Sequence, residues 1–351
     1  TLLRVLAGNG GVAASRIPQV AAAVAATLAR WPFTLAERGL VAARRHRVAN
    51  DPPPLFILGH WRSGTTHLYN VMSRSEAFAY VSPYATALPW DFLLLGRLLQ
   101  PLLAKALPKH RYIDNIPVES DSPQEDEIAL ANMTPLSFYH GLYFPRRLVE
   151  NFNTGVFFDG CNDKAIAAWQ RLLRYYYDKL RLAQPGRRLL IKNPVYTARA
   201  GLLKAMWPDA KFIHIHRNPY IVFASMRNFY RKLLAQFALQ PYDGIDVDAL
   251  IFSAYARMMA QLDADRASLG DSQFVELGFD AFQADPLGQL EQIYRRLDLP
   301  GFAAARPAFA AYLETVKDYR KNRYGFDPDL IGAVRAHWAP YIDRWGYRPP
   351  D

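Results

Sequence analysis

Hydrophobic positions along this chain gather into a few short unbroken runs, set between longer stretches with helical spacing. Three runs, Leu55-Phe56-Ile57-Leu58, Leu189-Leu190-Ile191 and Lys211-Phe212-Ile213-His214-Ile215, read as buried parallel strands, with Phe274-Val275-Glu276-Leu277 a weaker fourth. The first and third lead into loops and then helical patterns, and Ala198 to Met206 reads as a helix before the third. That alternation predicts a parallel sheet covered by helices. Residues 1–50 read as two helices, an Ala-rich run from Val20 to Leu28 and a second from Leu35 to Val48. Asp51-Pro52-Pro53-Pro54 breaks the chain after them. Residues 75–185 carry helices and aromatic loops, and Asp329 to Trp345 one or two further helices.

Composition alters this picture little. The 351 residues are 51% hydrophobic and 21% charged, enough for one large α/β domain. The formal net charge of +10 favours an anionic ligand, whether nucleic acid, a membrane surface or a phosphate-rich molecule. Cys161 is the only cysteine, which excludes an internal disulfide and a Cys-based metal cluster. The eight histidines show no metal-binding spacing, so no metal is expected. No segment reads as a signal peptide or a membrane span, and the expected location is cytoplasmic. Leu88 to Leu107 is greasy, but Asp91, Arg97 and Lys105 interrupt it. It suits a lid or a surface-lying helix, which leaves peripheral membrane association open.

The chemistry concentrates after the first strand. Leu55 to Leu58 runs into Gly59-His60-Trp61-Arg62-Ser63-Gly64-Thr65-Thr66 and then a helical pattern. A strand, a glycine-containing loop and a helix start form an anion site, because the first helical N–H groups lack intrahelical partners and the helix dipole adds positive charge. Ser63, Thr65 and Thr66 add hydroxyl donors and Arg62 a full charge. A nucleotide-hydrolysis loop would carry lysine where Thr65 stands, and an acidic strand end to hold magnesium. Here the later strands end at Lys192 and Arg217. A kinase or NTPase is disfavoured, and remains the alternative.

The Arg-Ser-Gly-Thr-Thr loop resembles the 5′-phosphosulfate loop of sulfotransferases that use 3′-phosphoadenosine-5′-phosphosulfate (PAPS), particularly a bacterial branch similar to tyrosylprotein sulfotransferases in its cofactor motifs. His60-Trp61 replaces the more usual residue-proline pair. The resemblance implies that Arg62, with Ser63, Gly64, Thr65 and Thr66, grips the phosphosulfate. It also implies that an arginine at a strand end and a serine eight positions later bind the 3′-phosphate, and Arg217 and Ser225 reproduce that spacing. Lys192 matches the lysine that reaches the phosphosulfate bridge and stabilises charge on the leaving oxygen. The matched motifs span about Leu55 to Arg231. Near the adenine, Gly278-Phe279-Asp280 lacks the tyrosine of relatives, and Lys317 to Tyr324 is a basic cluster without their glycine-rich C-terminal loop.

The implied fold is α/β, a P-loop-like parallel sheet flanked by helices, with a single main domain over 51–351 and a helical N-terminal extension over 1–50. The implied activity is transfer of a sulfuryl group from PAPS to a hydroxyl of a small, hydrophobic acceptor, without a metal. The general base is not given by the resemblance. The histidine of cytosolic relatives falls here on Pro194-Val195-Tyr196, and the glutamate of tyrosylprotein relatives on Val81-Ser82-Pro83-Tyr84. Ser122-Pro123-Gln124-Glu125 reads as a capping box, which makes Glu125 structural. Glu127, on a face with Leu130 and Ala131, is the first candidate for the base, followed by Asp126 and then His60, Asp121 or His140. Trp90, Phe92, Leu93, Leu94, Phe138, Tyr139, Tyr143, Phe144 and Phe157 are candidates to line an apolar acceptor pocket. A noncatalytic nucleic-acid binder is a further alternative for the positive charge, although no nucleic-acid partner is expected.

Overall fold

The computed structural model describes residues 2–96, 98–101, 122–318, 322 and 324–350. Five strands form one sheet: β1 (Leu55–Leu58), β2 (Phe78–Ala79), β3 (Arg188–Lys192), β4 (Lys211–His216) and β5 (Phe274–Gly278), in the order β2-β3-β1-β4-β5. The pairings β1–β3, β1–β4 and β4–β5 are parallel, with Phe56 opposite Ile191 on one side and Phe212 on the other. All four residues of β1 are buried, as a central strand covered on both faces requires. Phe56 stacks on Phe212 at 5.5 Å between ring centres and meets the edge of Tyr196 at 5.8 Å.

Strand β1 lies between β3 and β4, both of which come much later in the chain. The strand order therefore reverses at β1, and the carboxyl ends of β3, β1 and β4 lie side by side. In open α/β sheets that is where ligands bind.

The chain divides into two compact units. One holds Thr1–Pro52, Ala79–Leu189 and Lys232–Ile245; the other holds Pro53–Phe78, Leu190–Arg231 and Asp246–Asp351. In the first, residues 17–44 form one 28-residue helix, Ile17–Arg44, rather than two. Pro32 removes one backbone hydrogen bond from its middle without ending it. Side chains hold the helix on both sides of that point. Arg30 forms an ion pair with the buried Asp91, and Glu37 one of 2.7 Å with Lys179, both fully buried. Lys179 lies on the Asp163–Ala183 helix, its ammonium 4.4 Å from the centre of the Phe92 ring. It also donates to the Pro89 carbonyl, while the Leu94 N–H donates to Glu37 Oε2 at 3.0 Å. Burial pushes the Lys179 ammonium down to about 8 against the opposing pull of Glu37.

This polar knot sets the start of the greasy segment expected as a lid. Phe92 and Leu95 are buried, whereas Leu94 and Leu98 are exposed. Arg97 and residues 102–107 lie outside the described residues. In the second unit the Pro328–Arg344 helix bends at Trp338, two residues before Pro340, which explains why its sequence reads as one or two helices. Among the described residues no helix is long and apolar enough to cross a membrane.

Candidate active site

The loop after β1 is shaped by three residues with positive φ: Gly59 at 143°, Arg62 at 71° and Gly64 at 101°. A Cβ on Gly59 would lie 2.4 Å from the Ile215 carbonyl oxygen, and one on Gly64 would lie 2.1 Å from the Phe279 ring. Only glycine fits either place. The Gly59 N–H donates to Thr197 Oγ1 at 2.8 Å, which ties the loop to the turn after β3. Gly64 then caps the Thr65–Met72 helix without any side-chain acceptor, its carbonyl taking the His67 and Leu68 N–H groups. The helix start is thus dressed by the backbone and by the hydroxyls of Thr65 and Thr66.

Arg62 leaves this loop with its Nε donating to Ser225 Oγ at 2.9 Å, and Ser225 Oγ also bonds the Tyr324 hydroxyl at 2.9 Å. Arg217, just past the end of β4, donates to the Arg62 carbonyl at 3.4 Å and lies over the Phe279 ring at 4.7 Å. The structure therefore brings Arg62, Arg217 and Ser225 together from positions up to 163 residues apart. Burial first, and then the charge of Arg62, pull the Arg217 guanidinium below its usual range, against a weaker opposing pull from Asp280. Two guanidinium groups held close in a partly desolvated place are a cationic cluster that an anion would relieve.

Buried polar atoms here without a hydrogen-bond partner among the described residues include Ser63 Oγ and Arg217 Nε. Buried donors are normally satisfied, so both fit a site built around phosphate-like oxygens. Lys192 ends β3, buried, with its Cα paired in register to Ile57 of β1. The next residue, Asn193, accepts the Val195 N–H and starts the turn that carries Thr197.

Of the base candidates, Asp126, Glu127 and His140 belong to the first unit and His60 to the second. The Asp126–Met133 helix starts three residues later than a cap at Ser122 would place it. Its N-cap is Glu125, whose side chain makes no capping bond, so the expected capping box does not form. The Gln124 N–H donates instead to the Val81 carbonyl, which keeps residues 122–125 extended ahead of the helix. Glu127 is fully buried and its Oε1 accepts from the Ser137 hydroxyl at 2.6 Å. Asp126, equally buried, accepts from the Tyr177 hydroxyl at 2.8 Å.

Burial pushes His60 down to about 4, only partly offset by its Nδ1–H donating to the Trp61 carbonyl at 3.0 Å. It is neutral near pH 7 and a weak proton acceptor. His140 is likewise buried, lowered and bonded to the Thr134 carbonyl. Asp121 lies outside the described residues, as do Tyr319, Arg320, Lys321 and Arg323 of the C-terminal basic cluster. Phe92, Phe138 and Phe144, read as candidate pocket lining, are buried side chains, Phe138 packing against Tyr139 and Phe152.

Thr197 escapes a sequence reading, being a single hydroxyl with no motif around it. Tyr324 ends the basic cluster read from the sequence, but its contact with Ser225 is not legible there, and Phe279 stands where relatives were expected to carry tyrosine. A second group backs β4. His216 stacks on Trp345 at 4.1 Å and 5°, its Nδ1 bonds the Tyr347 hydroxyl at 2.8 Å, and the Asn218 side chain donates to the Arg348 carbonyl.

The family model described as "Sulfotransferase family" matches residues 53–304. The chain is 31% identical over 297 residues to the omega-hydroxy-beta-dihydromenaquinone-9 sulfotransferases of Mycobacterium bovis and Mycobacterium tuberculosis. The match covers 84% of this chain and 75% of each relative. Among solved structures, a sulfotransferase from Mycobacterium avium superposes with a TM-score of 0.67 at 18% identity, over 90% of this chain and 83% of that one. One from Mycobacterium tuberculosis H37Rv gives 0.65 at 20%, over 97% and 90%. At those identities they share its fold.

Proposed function

Because the chain belongs to the sulfotransferase family, we propose that it transfers a sulfuryl group from PAPS to a hydroxyl of a small, hydrophobic acceptor. The observation that carries the donor assignment is the pair Arg62 and Arg217, crowded together with Ser225 beside two unpaired buried atoms at the carboxyl ends of β1 and β4. Arg62, Ser63, Gly64, Thr65 and Thr66 would hold the 5′-phosphosulfate, and Arg217 with Ser225 the 3′-phosphate. PAPS carries both anions, so one ligand would satisfy both ends of the cluster. The Arg62–Ser225 bond spans the residues assigned to the two ends, and it would have to loosen or be shared when donor binds.

In the reaction the acceptor oxygen forms a bond to sulfur while the bond from sulfur to the 5′-phosphate oxygen breaks. The nucleotide leaves with the extra negative charge, and the acceptor proton goes to a base. Lys192 would neutralise the leaving oxygen, a task that needs no metal when an ammonium is fixed in place. Glu127 would take the proton, with the Ser137 hydroxyl orienting its carboxylate, and Asp126 is the second candidate.

The named relatives act on an omega-hydroxylated dihydromenaquinone, a hydroxyl borne on an apolar molecule. That supports a hydroxylated lipid, polyketide, sterol-like or phenolic acceptor over a sugar chain. The test of the donor is a thermal shift with 3′-phosphoadenosine-5′-phosphate (PAP) in the absence of magnesium, where binding to the folded state raises Tm. Stabilisation by ATP–magnesium with none from PAP would overturn the assignment in favour of a kinase or NTPase.

A further inference from the structure

Outside the cation cluster, the N-terminal helix presents a one-sided surface. The first fifty residues contain seven arginines and one acidic residue, Glu37, so their net charge of +6 makes up most of the chain's net +10. Glu37 is buried against Lys179 and contributes nothing to the surface. The exposed side of this segment therefore carries no negative side chain.

The same helix shows solvent a row of large apolar residues: Ile17 at 55% exposure, Leu28 at 62%, Trp31 at 59% and Leu35 at 52%. Their spacing of eleven, three and four places them on one side of an α-helix. The opposite requirement, packing into the unit, is met by other positions: Arg30 bound to Asp91, Glu37 to Lys179, and the buried Val41. The apolar row is thus not the face that builds the core. Leu94, held beside the helix by its bond to Glu37, is also exposed. At the helix end Arg44, Arg45, His46 and Arg47 are all exposed.

A row of Leu, Ile and Trp followed by a dense basic run, without one exposed acid, complements a surface that is greasy inside and negative outside. We propose that the Ile17–Arg44 helix and the basic turn after it dock the protein on anionic lipid bilayers. The helix lies in the interface with Leu28, Trp31 and Leu35 among the acyl chains and the arginines at the headgroups. It does not span the bilayer. The docking stands on the surface of the first unit alone and does not depend on the donor or acceptor assigned above.

The experiment is flotation of the full chain with phosphatidylcholine vesicles and with phosphatidylcholine–phosphatidylglycerol vesicles. The protein should float with the second and far less with the first, and added salt should release it. The triple variant R44A/R45A/R47A should lower the partition coefficient by about a hundredfold, from roughly one strong headgroup contact per arginine. The double variant L28E/W31E should lower it by about tenfold or more, since charged side chains do not enter acyl chains. Both sets are exposed, so Tm and PAP binding should stay at wild-type values. Failure of the wild type to float with anionic vesicles would overturn the proposal. So would equal flotation of wild type and both variants. A dimer by light scattering that L28E/W31E converts to monomer, without vesicle binding, would assign the row to a second copy. Tight duplex DNA binding abolished by R44A/R45A/R47A, again without vesicle binding, would assign the basic run to nucleic acid.

Discussion

Individual residues of the loop after β1 carry consequences out of proportion to their size. Gly64 sits at φ 101° with the Phe279 ring where a Cβ would stand. Gly64→Ala must move the ring that also carries the Arg217 guanidinium, so it should lower Tm and weaken PAP binding together. A thermal melt and a calorimetric titration on one sample check this. Arg217→Ala removes a charge-assisted contact and should weaken PAP binding by about 2–4 kcal/mol. Adenosine 5′-phosphosulfate, which lacks the 3′-phosphate, should lose much less, and equal losses would remove Arg217 from that role. Glu127→Gln keeps the shape around Ser137 but removes basicity. It should slow transfer to an alkyl alcohol by about 10²–10⁴-fold and spare a low-pKa phenol, with PAP affinity unchanged. Normal turnover with the alcohol would move the search to Asp126. Arg62 and the pair Arg217 and Ser225 stood out in the sequence because the loop after β1 and the end of β4 resemble the cofactor motifs of sulfotransferases; their meeting through the Arg62–Ser225 bond did not. Neither Thr197 nor the partner of Tyr324 was legible, because a lone hydroxyl gains meaning only when the fold carries it to its partner.

At the level of elements, the legible pieces were those whose burial leaves a mark on composition. The strands β1, β3, β4 and β5 were readable as apolar runs, whereas β2 is only Phe78–Ala79, too short to leave a pattern. Residues 17–44 read as two helices where one runs through Pro32, although a proline inside a helix usually ends it. What overrides that rule here is long-range, the Arg30–Asp91 and Glu37–Lys179 pairs on either side. The capping box at Ser122 failed for a related reason, since the Val81 carbonyl engages the Gln124 N–H ahead of the helix. The C-terminal residues after Arg344 show the same dependence on tertiary contact. Trp345 and Tyr347 clamp His216, the neighbour of Arg217. Trp345→Ala should therefore raise the Kd for PAP while leaving the KM for the acceptor near its original value. An unchanged Kd would show that the clamp serves stability alone.

For the molecule as a whole, acid is the predicted weakness. Burial holds His60 down at about 4, and burial with the neighbouring His214 holds His216 at about 3. Between those values and 6.5 the unfolded chain binds protons that the folded chain refuses. Each such group then removes about 1.4 kcal/mol per pH unit as pH falls through that window. Glu276 acts lower still. Burial alone would raise it, but His214 and Arg344 outweigh that and hold it at about 2, so its contribution is lost only below about pH 4.5. Tm should thus fall steadily from pH 7 to pH 5, and His60→Gln should flatten the slope even if it lowers the plateau. The strand order has a further consequence, in time rather than in energy. Residues Leu55 to Ile57 pair with Leu190 to Lys192, and Leu55 to Leu58 with Lys211 to His214. At ribosomal speeds the earlier strand waits on the order of ten seconds for either neighbour to be synthesised. During that interval four consecutive apolar residues have no sheet to enter. Nascent chains arrested between these strands are where chaperone capture of this protein should peak.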